Sequence, residues 1–218
     1  MNIYQELLKI FNSKAAITIF DIGSCEADDS LRYAQMFPYS KVYAFEPIKE
    51  NFDLCVKNTA EHRNIKVFNY AVSNKCGVEE MWVSSGCPEE KEKNGWNYGN
   101  KSSSLLEPKE HLNIHKWCKF KEKQFSETTT IKYFCNANGI KEIDYLHLDS
   151  QGSELMVLQG AYDFIKNIKV VFLEVEAIEL YLGQPLKSDI EKFMEENGFT
   201  KIGDTVDEVS GDQLWVRK

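Results

Sequence analysis

Hydrophobic and polar positions along this chain switch between two periods, and the switches mark its elements. Ile3, Leu7, Ile10 and Phe11 recur at helical spacing and predict an amphipathic helix over residues 3–12. Its apolar stripe serves either core packing or a lid or partner surface. Ile17 to Phe20 is a short run of β-branched and aromatic residues, the pattern of a buried strand, and it ends in a tight turn at Asp21-Ile22-Gly23. Helical spacing resumes through Leu31, Ala34 and Phe37 and stops at Pro38. Lys41 to Phe45 predicts a second strand. Ile48 to Thr59 predicts a helix, with Phe52 and Val56 on one face and Pro47 near its start, and Ile65 to Asn69 a third strand. Strand, turn, helix and strand in this order describe a doubly wound α/β fold, whose ligands lie beyond the carboxyl ends of the strands.

Between about residues 76 and 130 the alternation breaks. Val78 to Val83 alternates loosely enough for an added strand, and Glu122 to Thr130 for another. Between them Ser84 to Ser104 is polar, carries Gly86, Pro88, Gly95 and Gly99, and reads as a long loop. Loops of that length in a compact domain are usually functional or disordered. Trp96, Tyr98 and Trp117 lie in or near it, as a substrate platform or as anchors of the loop. Ile131 to Asn138 then predicts a helix stopped by Gly139. Ile143 to Leu148 predicts the fourth core strand, ending at Asp149-Ser150-Gln151-Gly152. Ser153 to Gly160 opens a helix with Leu155 and Leu158 inward, and Val170 to Glu174 is a fifth strand. Ser188, with Glu191 at capping-box spacing, predicts a helix N-terminus. Phe199 to Ile202 and Gln213 to Val216 read as a closing antiparallel pair. Without repeat, low-complexity tail or linker, residues 1–218 are expected to form one domain with an insertion at about 76–130.

Composition narrows the function. A chain of 218 residues with 43% hydrophobic and 28% charged residues suits one ordinary globular α/β domain. No apolar run approaches the roughly 20 residues that span a bilayer, and the first residues lack the basic and apolar regions of a signal peptide. A net charge of −8 argues against a phosphate-backbone binder, so no nucleic-acid partner is expected. The six cysteines, Cys25, Cys55, Cys76, Cys87, Cys118 and Cys135, form no CxxC pair and no zinc spacing. They suit a reducing compartment, so the protein is expected in the cytoplasm.

The first turn carries the candidate chemistry. It is not the dinucleotide GxGxxG, because Cys25 stands at the second glycine position, and no Lys-Ser/Thr pair awaits a triphosphate. Glu46, at the end of the second strand and about 20 residues past the glycine turn, is placed to bond ribose hydroxyls. An acidic turn favours a cationic nucleoside without phosphates, and S-adenosylmethionine (SAM) is that ligand.

DIGSCEADDS, then YAFEP, NYAVSN, SSSL and IDYLHLDSQGSELMVLQGA, follow one another in an order and spacing that resemble the FkbM family of SAM-dependent methyltransferases. The resemblance runs from about Phe20 to Glu176, and DQLWVRK fits the family's last strand. It implies a Rossmann-like class I methyltransferase fold: a doubly wound, mostly parallel seven-stranded sheet with an antiparallel C-terminal strand and an inserted strand and loop region. It also implies SAM as cofactor and glycan or natural-product acceptors. The methionine portion would lie on Asp21, Gly23, Ser24 and Cys25, the ribose on Glu46 with Pro47, and the adenine along Asn69 and Ala71. Ser103 and Ser104, with the aromatic loop residues Trp96 and Tyr98, would face the acceptor. Three positions depart from the family: Cys25-Glu26-Ala27 replaces Asn-x-Gly, His147 replaces a lysine, and Gln151 replaces a glutamate.

Methyl transfer is an in-line displacement at an activated sulfonium, so alignment supplies much of the rate. A hydroxyl acceptor still benefits from a base or a metal that removes its proton. Asp149, at the carboxyl end of the fourth strand, is the first candidate. His147 shares its face and is read as base, orienting group or structural histidine, while Glu174 on the neighbouring strand could complete a carboxylate pair. These three could also hold Mg²⁺ or another divalent ion, although no tight ligand motif is present. The sequence therefore points to an O-methyltransferase acting on a hydroxyl of a small molecule or glycan. A catalytically weak SAM-binding module and an N-methyltransferase are the alternatives.

Overall fold

The computed structural model describes residues 1–88 and 98–217. The chain begins with a helix, α1 (Ile3–Ile10), whose Asn2 side chain accepts from the Gln5 N–H at its N-terminus. Then come β1 (Thr18–Ile22), α2 (Asp28–Met36), β2 (Lys41–Phe45), α3 (Lys49–Asn58) and β3 (Ile65–Phe68). After a departure from the βα pattern, described below, the core resumes with α5 (Ile131–Ala137), β7 (Ile143–Leu148), α6 (Glu154–Gln159) and β8 (Ile168–Glu176). It closes with α7 (Lys187–Glu196), β9 (Phe199–Asp204) and β10 (Ser210–Arg217). The seven-stranded sheet runs in the order β3-β2-β1-β7-β8-β10-β9, parallel except for β10, which is antiparallel to both neighbours. The strand order reverses between β1 and β7, and there the crevice of a doubly wound sheet opens.

Strand residues alternate between two apolar layers because successive side chains point to opposite faces. On one side Ile19, Val42, Ala44 and Tyr145 pack with Ile3 and Leu7 of α1 and with Tyr33 and Ala34 of α2. Ile3, Leu7 and Phe11 of the stripe are therefore core packing, while Ile10 is exposed. On the other side Phe20, Phe45, Leu146 and Val171 pack against Phe134 of α5, Val157 of α6 and Met194 of α7. Gly139 ends α5 with φ of 65°, a left-handed value glycine adopts without strain. One boundary differs from the sequence reading. α7 starts after Leu186, not at a Ser188 cap, and the Asp189 carboxylate reaches back to the Leu186 N–H at 2.9 Å. Leucine has no side-chain acceptor, so only that half of a capping box can form.

The insertion builds a second sheet of three strands, β4 (Ala71–Val72), β5 (Gly77–Ser85) and β6 (Lys119–Thr129), in the order β4-β6-β5. Between β5 and β6 lie a 3₁₀ turn, Tyr98–Lys101, and a short helix, α4 (His111–Ile114). The segment between these two folds back over the strand ends of the large sheet. Leu182 N–H donates to the Glu107 carbonyl at 2.7 Å and Lys109 N–H to the Leu180 carbonyl at 2.8 Å, zipping the insertion to the connection after β8. No helix among the described residues is long and apolar enough to cross a membrane.

Candidate active site

The turns that end β1 and β7 are packed against each other. A Cβ at Gly23 would stand 1.8 Å from the Asp149 carbonyl oxygen, and Gly23 has φ of 85°. Gly23 lines both cavities, and its missing Cβ also permits this backbone contact, which brings Asp149 beside the β1 turn. The turn continues through Cys25 (φ 48°) and Ala27 (φ 66°), both left-handed. Such angles cost an ordinary residue roughly 1–2 kcal/mol, which asparagine and glycine escape. The Asn-x-Gly pattern that these residues replace thus has a backbone reason.

A cleft opens beside this turn, about 500 Å³ including the solvent at its mouth. One end is apolar, formed by Pro47, Ile48, Ala71, Val72, Met81 and Leu105. Glu46 lies in it, 4% exposed. Its Oε2 accepts from the Cys25 N–H and its Oε1 from the Ile48 N–H, both at 2.8 Å, so one carboxyl ties the β1 and β2 turns together. Burial pushes its pKa up to about 8, although those amide donors and Asn51 pull the other way. The far wall comes from the insertion. The Asn51 amide donates to the Asn100 carbonyl at 3.0 Å and the Asn100 amide to Glu26 at 2.9 Å, clamping the 3₁₀ turn over the cleft. Asn100, Lys101 and Ser103 line it.

A second cavity, about 450 Å³, continues from Gly23 and Cys25 past Ser24 and Asp28 to Asp21, Asp29, His147 and Asp149. Asp21 on β1 and His147 on β7 are direct register partners. Their side chains meet at 3.0 Å through His147 Nδ1, while Ser30 Oγ donates to the other Asp21 oxygen at 2.5 Å. Burial works against a charged imidazole, but the hydrogen bond and charge of Asp21, helped by Asp29 and Asp149, raise His147 to about 9. The ring is wedged against Tyr33, Tyr145 and Phe172. A value of about 9 favours the imidazolium paired with Asp21 at neutral pH.

Asp149 and Glu174 meet across the ends of β7 and β8. Gln151 Nε2 donates to Asp149 Oδ1 at 2.7 Å and to Glu174 Oε2 at 2.9 Å, and the two carboxyls also share a hydrogen bond. Burial raises both, Asp149 despite the pull of Gln151 and His147, and Glu174 well above the usual range with Asp149 adding repulsion. Among the described residues no three His, Cys, Asp or Glu side chains are arranged to hold a metal ion.

The remaining candidates fall in different places. Asn69 does not line the cleft; its amide donates to the Glu46 and Pro47 carbonyls at 2.8 and 3.0 Å and braces the β2 turn. Ala71 and Pro47 do line it. Ser24 lines the acidic cavity, with its hydroxyl 3.3 Å from the Phe45 carbonyl. Ser103 borders the cleft and is bonded to Ser84, whereas Ser104 is buried and donates to the Gln151 carbonyl at 2.7 Å. Tyr98 sits at the start of the 3₁₀ turn, and Trp96 lies outside the described residues. Sequence reasoning missed Asn51, Asn100, Lys101, Met81 and Tyr181. Only Asn100 and Lys101 had a signal, their place just before SSSL.

These surroundings fit SAM. The apolar end suits a purine, and the buried Asn100 Oδ1 has no hydrogen-bond partner, leaving an acceptor for a ligand donor. Glu46 supplies a carboxyl beside the apolar end, and the acidic cavity suits a cationic group. A family model, the methyltransferase FkbM domain, matches residues 21–201. The chain belongs to the FkbM methyltransferase family. Among curated proteins it is 26% identical over 189 residues to a 2-O-methyltransferase NoeI of Sinorhizobium fredii (strain NBRC 101917 / NGR234), covering 86% of this chain and 75% of that one. Among solved structures, a precorrin-6y C5,15-methyltransferase from Geobacter metallireducens GS-15 shares the fold with a TM-score of 0.53 and 10% identity, over 99% of this chain and 88% of the other. A fibrillarin/Nop5p complex gives 0.55 and 11%, over 98% and 79%. This FkbM protein is thus a SAM-dependent methyltransferase with a Rossmann-like class I fold.

Proposed function

We propose that this FkbM enzyme methylates a hydroxyl of a small molecule or glycan, with Asp149 as the base that takes the hydroxyl proton. The observation that carries the reading is the carboxyl pair Asp149–Glu174, half-buried at the ends of β7 and β8, with Asp149 bordering both cavities. When bound, SAM supplies an already activated sulfonium methyl, which leaves alignment and proton removal to the protein. Glu46 would hold the ribose hydroxyls, Pro47 and Ala71 would flank the adenine, and Asp21 with the Gly23 to Cys25 backbone would receive the methionine end. A carboxylate raised toward neutrality is a stronger base than a solvated one, and the nearby imidazolium of His147 keeps it ionised. The acceptor's proton passes to Asp149 while the O–H electron pair stays on oxygen for attack. The 2-O-methyltransferase NoeI supports a hydroxyl acceptor. The six unpaired cysteines support a cytoplasmic location.

The test is a panel of free monosaccharides, oligosaccharides, phenols and aliphatic amines incubated with methyl-labelled SAM, the products located by mass-spectrometric fragmentation. A methyl ether on a hydroxyl-bearing acceptor, lost in Asp149→Asn, is the expected result. Methylation of amines alone, or of hydroxyls at an undiminished rate in Asp149→Asn, overturns the reading.

A further inference from the structure

We propose that Gln151 and Tyr181 are positioning residues that hold Asp149 and Glu174 as a dyad with one shared proton. The inference rests on the reading of Asp149 as the base. Its geometry is a chain of bonds that leaves the Gln151 amide one orientation. Nε2 faces two carboxyls, 2.7 and 2.9 Å away on neighbouring strand ends. Oε1 faces the Tyr181 hydroxyl at 3.1 Å, whose proton is shared with the Ser102 carbonyl at 2.8 Å. Turning the amide over would set Oε1, an acceptor, against two carboxyls and leave their oxygens without the two N–H donors they now have, so the carboxyls fix the assignment. The backbone is pinned as well. Gln151 is left-handed with φ of 53°, and its carbonyl accepts from Ser104 Oγ. Tyr181 packs over the next residue so closely that a Cβ at Gly152 would lie 3.0 Å from its ring.

A neutral amide at this point sets the proton count. Its two N–H groups give each carboxyl one donor and add no charge of their own. The charged and titratable groups around the dyad come from every neighbouring element. They are Asp21 of β1, His147 of β7, Glu154 of α6, Glu176 of β8, Asp212 of β10 and Tyr181. His147 is the cation among them, and Lys101 of the 3₁₀ turn lines both cavities with Asp149. Against that acidic background, two ionised carboxyls side by side are disfavoured, and one retained proton leaves a single charge on the pair. A glutamate at 151 would place a third carboxyl where the two donors now stand, so a second proton would be needed to hold the same geometry.

The experiment follows carboxyl carbons by NMR in the full-length protein labelled at Asp and Glu, from pH 5 to 10, for wild type, Gln151→Glu and Tyr181→Phe. Wild type should show the Asp149 and Glu174 signals titrating together, one proton retained at pH 7. Gln151→Glu should retain a second proton at pH 7 and shift the acidic limb of kcat upward by at least tenfold in proton concentration, without a matching change in KM. Tyr181→Phe should keep the proton count and lower kcat about tenfold, with S-adenosylhomocysteine affinity within twofold of wild type. Independent titration of the two carboxyls, or Gln151→Glu with wild-type titration and pH profile, overturns the proposal. Asp149→Asn separates it from the reading beneath it. Unchanged kcat in that variant, with Glu174 titrating lower than in wild type, removes Asp149 as base while the dyad stands.

Discussion

Replacing Asp21 with Asn removes the counter-ion of a buried imidazolium and leaves its shape in place. The pair is well shielded, with side chains 13% and 1% exposed for His147 and Asp21. A histidine raised from 6.5 to about 9 owes its charged form about 3 kcal/mol, at roughly 1.4 kcal/mol per tenfold change. Because the folded value is the higher one, this stability is fully present below pH 6.5 and is lost as pH rises through about 9. Asp21→Asn should therefore cost about 3 kcal/mol more at pH 6 than at pH 9.5, or roughly 6–12 °C in Tm for a chain of this size. Any loss at Ser30, which donates to the other Asp21 oxygen, is uncharged and the same at both pH values, so the difference isolates the ion pair. Urea unfolding of wild type and variant at the two pH values measures it, and an NMR titration of the His147 ring gives its pKa directly. Equal destabilisation at pH 6 and pH 9.5, or a wild-type His147 titrating near 6.5, would refute the buried imidazolium.

Gly23→Ala should destabilise the fold by about 3 kcal/mol, from left-handed strain and from overpacking against the Asp149 carbonyl; a loss under about 0.5 kcal/mol in urea melts would contradict that packing. Wild-type Tm should fall from pH 5.5 to pH 9. Burial raises Glu46, Glu154 and Glu176 from 4.5 to about 8, 7 and 9, so the folded state holds protons that the unfolded state has released, and His147 acts in the same direction. A flat or rising Tm across that range would count against these buried acids. Asn51→Ala should loosen the 3₁₀ turn by removing its bond to the Asn100 carbonyl, raising amide exchange at Tyr98–Lys101 by about fivefold for a bond worth roughly 1 kcal/mol; unchanged exchange would show that the clamp carries no weight.

The βα alternation, the strand ends and the antiparallel closing pair were legible because burial imposes a period on each element. Ile19, Phe20, Val42 and Phe45 could not have been placed differently without exposing one sheet face. Side-chain commitments were less legible. Asp21 and His147 are 126 residues apart, and only the β1–β7 register reveals them as partners. Asn69 looks like a ligand residue from its place at a strand end, yet its amide is used by two carbonyls that local sequence does not identify. Tyr181 lies in a connection without periodicity, so nothing in the chain announces that it reaches Gln151. Cys25 and Ala27 show the reverse case, where departures from a family pattern gained a meaning only from their backbone angles.

The most direct measurement is calorimetric titration of S-adenosylhomocysteine into the wild type and into Glu46→Ala. Glu46 sits beside the apolar end of the cleft, and at pH 9, above its value of about 8, a ribose bonded there loses a charged hydrogen bond when the carboxyl is removed. Wild type should bind one equivalent, and the variant should bind more weakly by about 1.5–3 kcal/mol, roughly 10- to 150-fold in Kd. Absence of binding to wild type, or equal affinity in the two proteins, would contradict the placement of the cofactor in this cleft.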